Sequence, residues 1–150
     1  MKKYLFGFSL IISILGFSQE KKYEFMLDPN SGNTIKDSIQ YINQLPESND
    51  KAYLLYRLNS YYFFRNADST IYYAKLVESY TEKNSFKELQ YYNHFVLGQV
   101  YMMMKSNYPL SLYYLNLAKK EAEDAKAYNG DLKENIEGIT IQCYSGLGSY

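Results

Sequence analysis

Apolar residues in the middle of the chain recur in steps of three and four. Ile71, Ala74 and Val77 follow this spacing, and so do Leu112, Leu115, Ala118 and Ala122, with Leu110 beside them. Such spacing gathers them on one buried helical face. No stretch alternates as a half-buried strand does, so the pattern predicts an all-α chain. Polar and helix-breaking residues then set the limits. A short helix from about Lys36 to Leu45 stops at Pro46, and Glu47-Ser48-Asn49-Asp50 reads as a loop with an N-cap. A first hairpin spans about 51–83. Its first helix runs from Lys51 to Phe64, and its partner starts after Asn66, with Asp68-Ser69 in a first turn where a carboxylate suits the helix dipole. The second hairpin, about 85–129, opens on the capping box Ser85-x-x-Glu88 and runs to about Lys105. It turns at Asn107 and Pro109 into a helix reaching Tyr128, with Gly130 as its stop. Asp131-x-x-Glu134 caps a last helix over 131–150.

The first residues have a different character. Lys2 and Lys3 precede an apolar run from Leu5 to Phe17, and Gly16-Phe17-Ser18 offers small residues where a signal peptidase reads. Residues 1–18 are therefore expected to be a cleaved secretory signal, with Gln19 as the mature start and the periplasm as destination; an uncleaved anchor is the other reading. No Cys follows the run, which disfavours a lipid-anchored start. Residues 19–33 end in Asp28-Pro29-Asn30-Ser31-Gly32-Asn33, a turn-favouring leader without helical period, ahead of a helical domain over 34–150.

Charge narrows the partners. Loss of Lys2 and Lys3 takes sixteen basic residues to fourteen against sixteen acidic ones, so the exported chain is about minus two. Its basic residues are scattered, which argues against nucleic acid, and nothing after the signal reaches membrane length. Nineteen Tyr against eight Phe and no Trp suit helices buried along one edge and wet along the other.

Candidate chemistry is sparse. His94 is the single histidine, with no second His or Cys at metal spacing, and reads as a packing ring rather than a catalytic base. Cys143 has no partner for an internal disulfide and reads as a buried thiol. Glu121, Glu123 and Asp124 mixed with Lys119, Lys120 and Lys126 resemble a solvated face. Asn129-Gly130-Asp131 lacks the further carboxylates of a calcium loop, and Gly138, Gly146 and Gly148 are too spread along a helix to cradle a phosphate. The expectation is a non-enzyme without cofactor or metal.

One motif recurs. His94-x2-Leu97-Gly98-x2-Tyr101 returns as Tyr144-x2-Leu147-Gly148, whose closing Tyr would fall one residue past Tyr150, and more loosely as Leu54-x2-Arg57-Leu58-x2-Tyr61. The pattern resembles the first helix of a tetratricopeptide repeat (TPR), in which Gly lets the second helix approach. Ser111-x3-Leu115 and Ala118 match its second helix; in the first hairpin Thr70-x3-Ala74 and Val77 do so, but Leu58 stands where Gly should be. Spacings of 40 and 50 residues exceed the usual ~34. The resemblance implies antiparallel helical hairpins stacked in a right-handed superhelix (α-solenoid), an incomplete third repeat over 131–150, and a protein or peptide as partner. The order of signal, short helix and degenerate repeat containing Asp68-Ser69-Thr70-Ile71 is similar to exported sensor regions of Bacteroidetes-type histidine kinases and transcriptional regulators. That implies a part in signal transduction, and a cell-envelope assembly or transport accessory is the alternative.

In such a stack the first helix of each hairpin lines the concave side. The repeat register assigns Asn59, Tyr62 and Phe63, then Tyr92, Gln99, Met102 and Met103, to a protein-binding groove; Leu55 and Phe95 point the same way and read equally as packing between repeats. Leu58, Tyr61, Leu97, Gly98, Tyr101, Ala118, Leu147 and Gly148 are its structural positions. The groove lacks the Lys and Arg that capture a terminal carboxylate, and the unpaired last helix makes self-association an expectation.

Overall fold

The computed structural model describes residues 34–84 and 86–148, and all of its regular structure there is α-helical. The expected signal over 1–18, the leader over 19–33, Ser85 of the expected capping box and Tyr150 lie outside the described residues. Six helices follow one another: α1 Ile35–Gln44, α2 Asn49–Tyr62, α3 Ala67–Asn84, α4 Lys87–Met103, α5 Tyr108–Asp124 and α6 Gly130–Leu147. The chain divides into two units at Leu45 and Pro46, so α1 belongs to the first and α2–α6 to the second.

In α1 a full capping box holds the start: the Thr34 hydroxyl accepts from the Asp37 N–H at 3.2 Å, and the Asp37 carboxylate accepts from the Thr34 N–H at 2.9 Å. Two orphan donors are thus satisfied locally. The Thr34 hydroxyl also donates to the Asp37 carboxylate at 2.6 Å, and this bond together with the one from the Thr34 N–H holds the Asp37 carboxyl below its usual range.

Within the second unit each helix runs back along its predecessor. Asp68 meets Lys105, Ala74 meets Asn93 and Glu78 meets His94, so α3 and α4 are antiparallel. Gln90 meets Glu121 while Gly98 meets Ser111, which makes α4 and α5 antiparallel too. The turns are built from their own sequence. Asn66 and Asn107 side chains accept the N–H groups of Ser69 and Leu110, capping α3 and α5, and Pro109 sits in a first turn where its missing donor is harmless.

The centre is α4, in which every residue from Tyr91 to Val100 is buried. It is flanked by α3 and α5 and also touches α6. Leu97 packs with Ala74 of α3 and Tyr114 of α5. Fully burying a side chain of that size contributes about 1.5 to 3 kcal/mol.

Several limits differ from expectation. Gly130 does not stop α5. That helix ends at Asp124, where Lys126 takes a left-handed φ of 57°, and Gly130 with φ 48° opens α6 instead. Tyr128 therefore lies in the connection. The cap expected from Asp131 is absent: Asn129 holds the N-cap position without a side-chain bond, and Asp131 sits in the first turn. Phe86 precedes α4 without a side-chain cap. In α2 the start moves forward to Asn49 because the Ser48 hydroxyl accepts the Lys51 N–H at 3.2 Å.

Candidate functional site

Two carboxylates from two helices meet one buried ring on a third, and Lys75, Tyr114 and Gln90 extend the network. His94 is 3 % exposed. Its Nδ1 lies 2.7 Å from Glu121 Oε2 of α5, and its Nε2 lies 3.2 Å from Glu78 Oε1 of α3. Lys75, one turn before Glu78, donates to the other Glu78 oxygen at 2.6 Å and to the Tyr114 hydroxyl. Gln90, one turn before His94, donates to the second Glu121 oxygen at 2.8 Å. Helical spacing of three and four residues delivers each pair to one face.

Charge follows from this geometry. Burial opposes a charged imidazole, but the hydrogen bonds and attraction of Glu121 and Glu78 outweigh it and push His94 up to about 9. Burial likewise raises Glu78, yet bonds from His94 and Lys75 prevail and leave it below the usual carboxylate range. Lys75 is pushed up to about 12: Glu78 and Tyr114 overcome its desolvation. At neutral pH Lys75 and His94 therefore keep their protons, and Lys75, Glu78, His94 and Glu121 follow one another along a single line of contacts. Both ring nitrogens are occupied, so the imidazole offers no lone pair. Among the described residues no three His, Cys, Asp or Glu side chains are placed to hold a metal ion.

A second joint lies deeper. An added Cβ at Gly98 would fall 2.7 Å from Leu115 Cγ, so α4 and α5 touch at a point only glycine allows. The Ser111 hydroxyl donates to the Gly98 carbonyl at 2.7 Å and accepts from the Cys143 thiol at 3.2 Å, linking α4, α5 and α6. Burial pushes the Cys143 thiol up, which suits a packing role.

The expected groove residues separate by exposure. Asn59, Phe63, Tyr92 and Gln99 are buried, as are Leu55 and Phe95. These side chains sit in the interior: Asn59 faces Asn93 at 3.4 Å, and Asn93 in turn reaches the Ala74 carbonyl at 2.9 Å. Tyr62 and Met102 are half-buried and Met103 is exposed, so these three remain at the surface. Tyr62 stacks on Tyr73 with ring centres 5.6 Å apart, beside Tyr61, Tyr72 and Arg65.

Of the motif positions, Leu58, Leu97 and Ala118 are fully buried, and half-buried Tyr101 stacks on Tyr114. Leu147 and Gly148 are exposed. Ile141 and Tyr144 are exposed with them, on the side of α6 opposite Leu132, Ile136, Ile139 and Cys143. An open cavity of about 290 Å³ lies between α5 and α6, lined by Asn116, Lys119, Tyr128, Ile136, Thr140 and Ile141.

Glu121 lies against His94 and not on the solvated face expected of it, and Glu78, which no sequence motif singles out, meets the same ring. A signal for both existed: Glu78 follows Ala74 by four and Glu121 follows Ala118 by three, so each carboxylate falls at the edge of an apolar stripe and needs a cation there. No family model matches this chain, no curated protein matches it significantly, and no solved structure does.

Proposed function

We propose that this chain is a non-enzymatic module of TPR-like hairpins, stacked as a right-handed superhelix, that binds a protein or peptide as the extracytoplasmic sensing part of a signal-transduction protein. The observation that carries the reading is where the reactive groups and the apolar groups lie. His94, Glu78, Glu121, Cys143 and Ser111 are spent on joints between helices, whereas Tyr62, Met102 and Met103 stay accessible at the ends of the two first-of-hairpin helices. Methionine adapts to irregular apolar partners, and tyrosine adds a polar tip, a combination suited to a bound helix or peptide. The antiparallel order α2–α3, then α4–α5, supports the stacking, and the basic and apolar residues at 2–17 support export. No described helix is long and apolar enough to cross a membrane.

Photo-crosslinking tests the reading. A photoreactive phenylalanine at Tyr62 or Met103, in the protein made in its native host, should give one shared adduct that the same group at exposed Glu123 does not give. Adducts equal at all three positions, or at none, would remove the basis for a binding surface here.

A further inference from the structure

We propose that the proton on His94 is a lock in the joint between the two hairpins, whose loss opens the Glu78 contact and loosens α3 locally against α4 while leaving the Glu121 contact between α4 and α5 in place. The inference concerns the joint and does not depend on what the surface binds. A neutral imidazole carries one N–H and one lone pair. With Nδ1 2.7 Å from a Glu121 oxygen and Nε2 3.2 Å from a Glu78 oxygen, only the doubly protonated ring donates to both. Remove one proton and a nitrogen lone pair faces a carboxylate oxygen, so one contact must open.

The structure also decides which contact opens. Glu121 makes the shorter bond, and Gln90 steadies its other oxygen at 2.8 Å from the same helix as His94. Glu78 makes the longer one and has Lys75 on its own helix at 2.6 Å as a remaining partner. The groups facing the ring from the elements packed on it are Glu78 with Lys75 from α3, and Glu121 with Tyr114 from α5, the Tyr114 ring lying 5.8 Å away. Nothing else in the set replaces a proton at Nε2. The neutral ring keeps Nδ1–H toward Glu121 inside the second hairpin, and the link to Glu78 between hairpins is the one lost. Beyond it, Gly98 against Leu115 still holds α4 to α5.

Because His94 is the single histidine, ring nitrogen-15 NMR of the whole protein reads the state directly. From about pH 6 to about pH 11, the ring should show both nitrogens protonated at neutral pH, a midpoint near 9, and Nδ1–H as the neutral form. Amide exchange around Glu78, corrected for its intrinsic rise with pH, should quicken with the same midpoint while that around Glu121 does not. Glu78→Gln should lower the midpoint and keep the Nδ1–H form. A midpoint at or below the ordinary 6.5, a neutral ring protonated at Nε2, or equal loosening around Glu78 and Glu121 would each overturn the lock.

Discussion

Single residues hold this fold at points where one atom decides the outcome. The folded His94 value near 9 lies above the ordinary 6.5, so folding binds its proton more tightly. The resulting stabilisation is complete below about pH 6.5 and is lost as the pH rises through 9, an effect on the order of 2 to 4 kcal/mol. Denaturant unfolding across that range should show the loss, and His94→Gln should lack this part of the slope while tyrosine and lysine contributions remain. Gly98 is the second such point. A methyl group placed 2.7 Å from Leu115 Cγ, in a region with no exposed surface, forces α4 and α5 apart. Gly98→Leu should cost about 1 to 3 kcal/mol by overpacking, and a melting temperature unchanged from the parent would contradict the described contact.

At the scale of elements, the glycines of α6 behave in opposite ways. A Cβ at Gly138 meets nothing within 4 Å, so Gly138→Ala should stabilise by about 0.5 to 1 kcal/mol through helix propensity alone. A Cβ at Gly146 would fall 2.5 Å from the Tyr108 ring, so Gly146→Ala should destabilise. Thermal melts of the two variants beside the parent check both signs. In α1 the Thr34 and Asp37 box acts on one end only. Thr34→Ala should loosen that helix by about 1 kcal/mol, read as faster amide exchange in Ile35–Gln44 without change in α4.

Across the whole molecule, stability is graded by how many neighbours a helix has. α4 lies between α3 and α5 and is buried along ten successive residues, whereas α6 packs on α5 and only grazes α4. Local opening is cheapest where the least apolar surface is re-exposed. Native-state hydrogen exchange should therefore find α4 the slowest segment and α6 the fastest helix of the second unit. Slowest exchange in α6 would mean that the face bearing Ile141 and Tyr144 is covered in solution.

Short-range sequence signals suffice to place the helices. Apolar steps of three and four, Pro46, and the side-chain caps at Ser48, Asn66 and Asn107 are local physics, acting within a few residues, and helices stand where these signals lie. Local signals misled where they were ambiguous: a glycine with positive φ serves the start of α6 as well as the end of α5, Lys126 took the left-handed turn that Gly130 was expected to take, and Asp131 fell in the first turn instead of at the cap. Which faces meet was decided by tertiary structure. The motif around Gly98 marked a close approach, but the register alone left Asn59, Phe63, Tyr92 and Gln99 facing outward, and packing of neighbouring helices buries them. The His94 pairing was decided there too: the sequence places each carboxylate at the edge of an apolar stripe but does not say which cation it meets. Glu78 and Glu121 stand 16 residues before and 27 after the ring, and only the antiparallel return of α3 and α5 brings their carboxylates within hydrogen-bond reach.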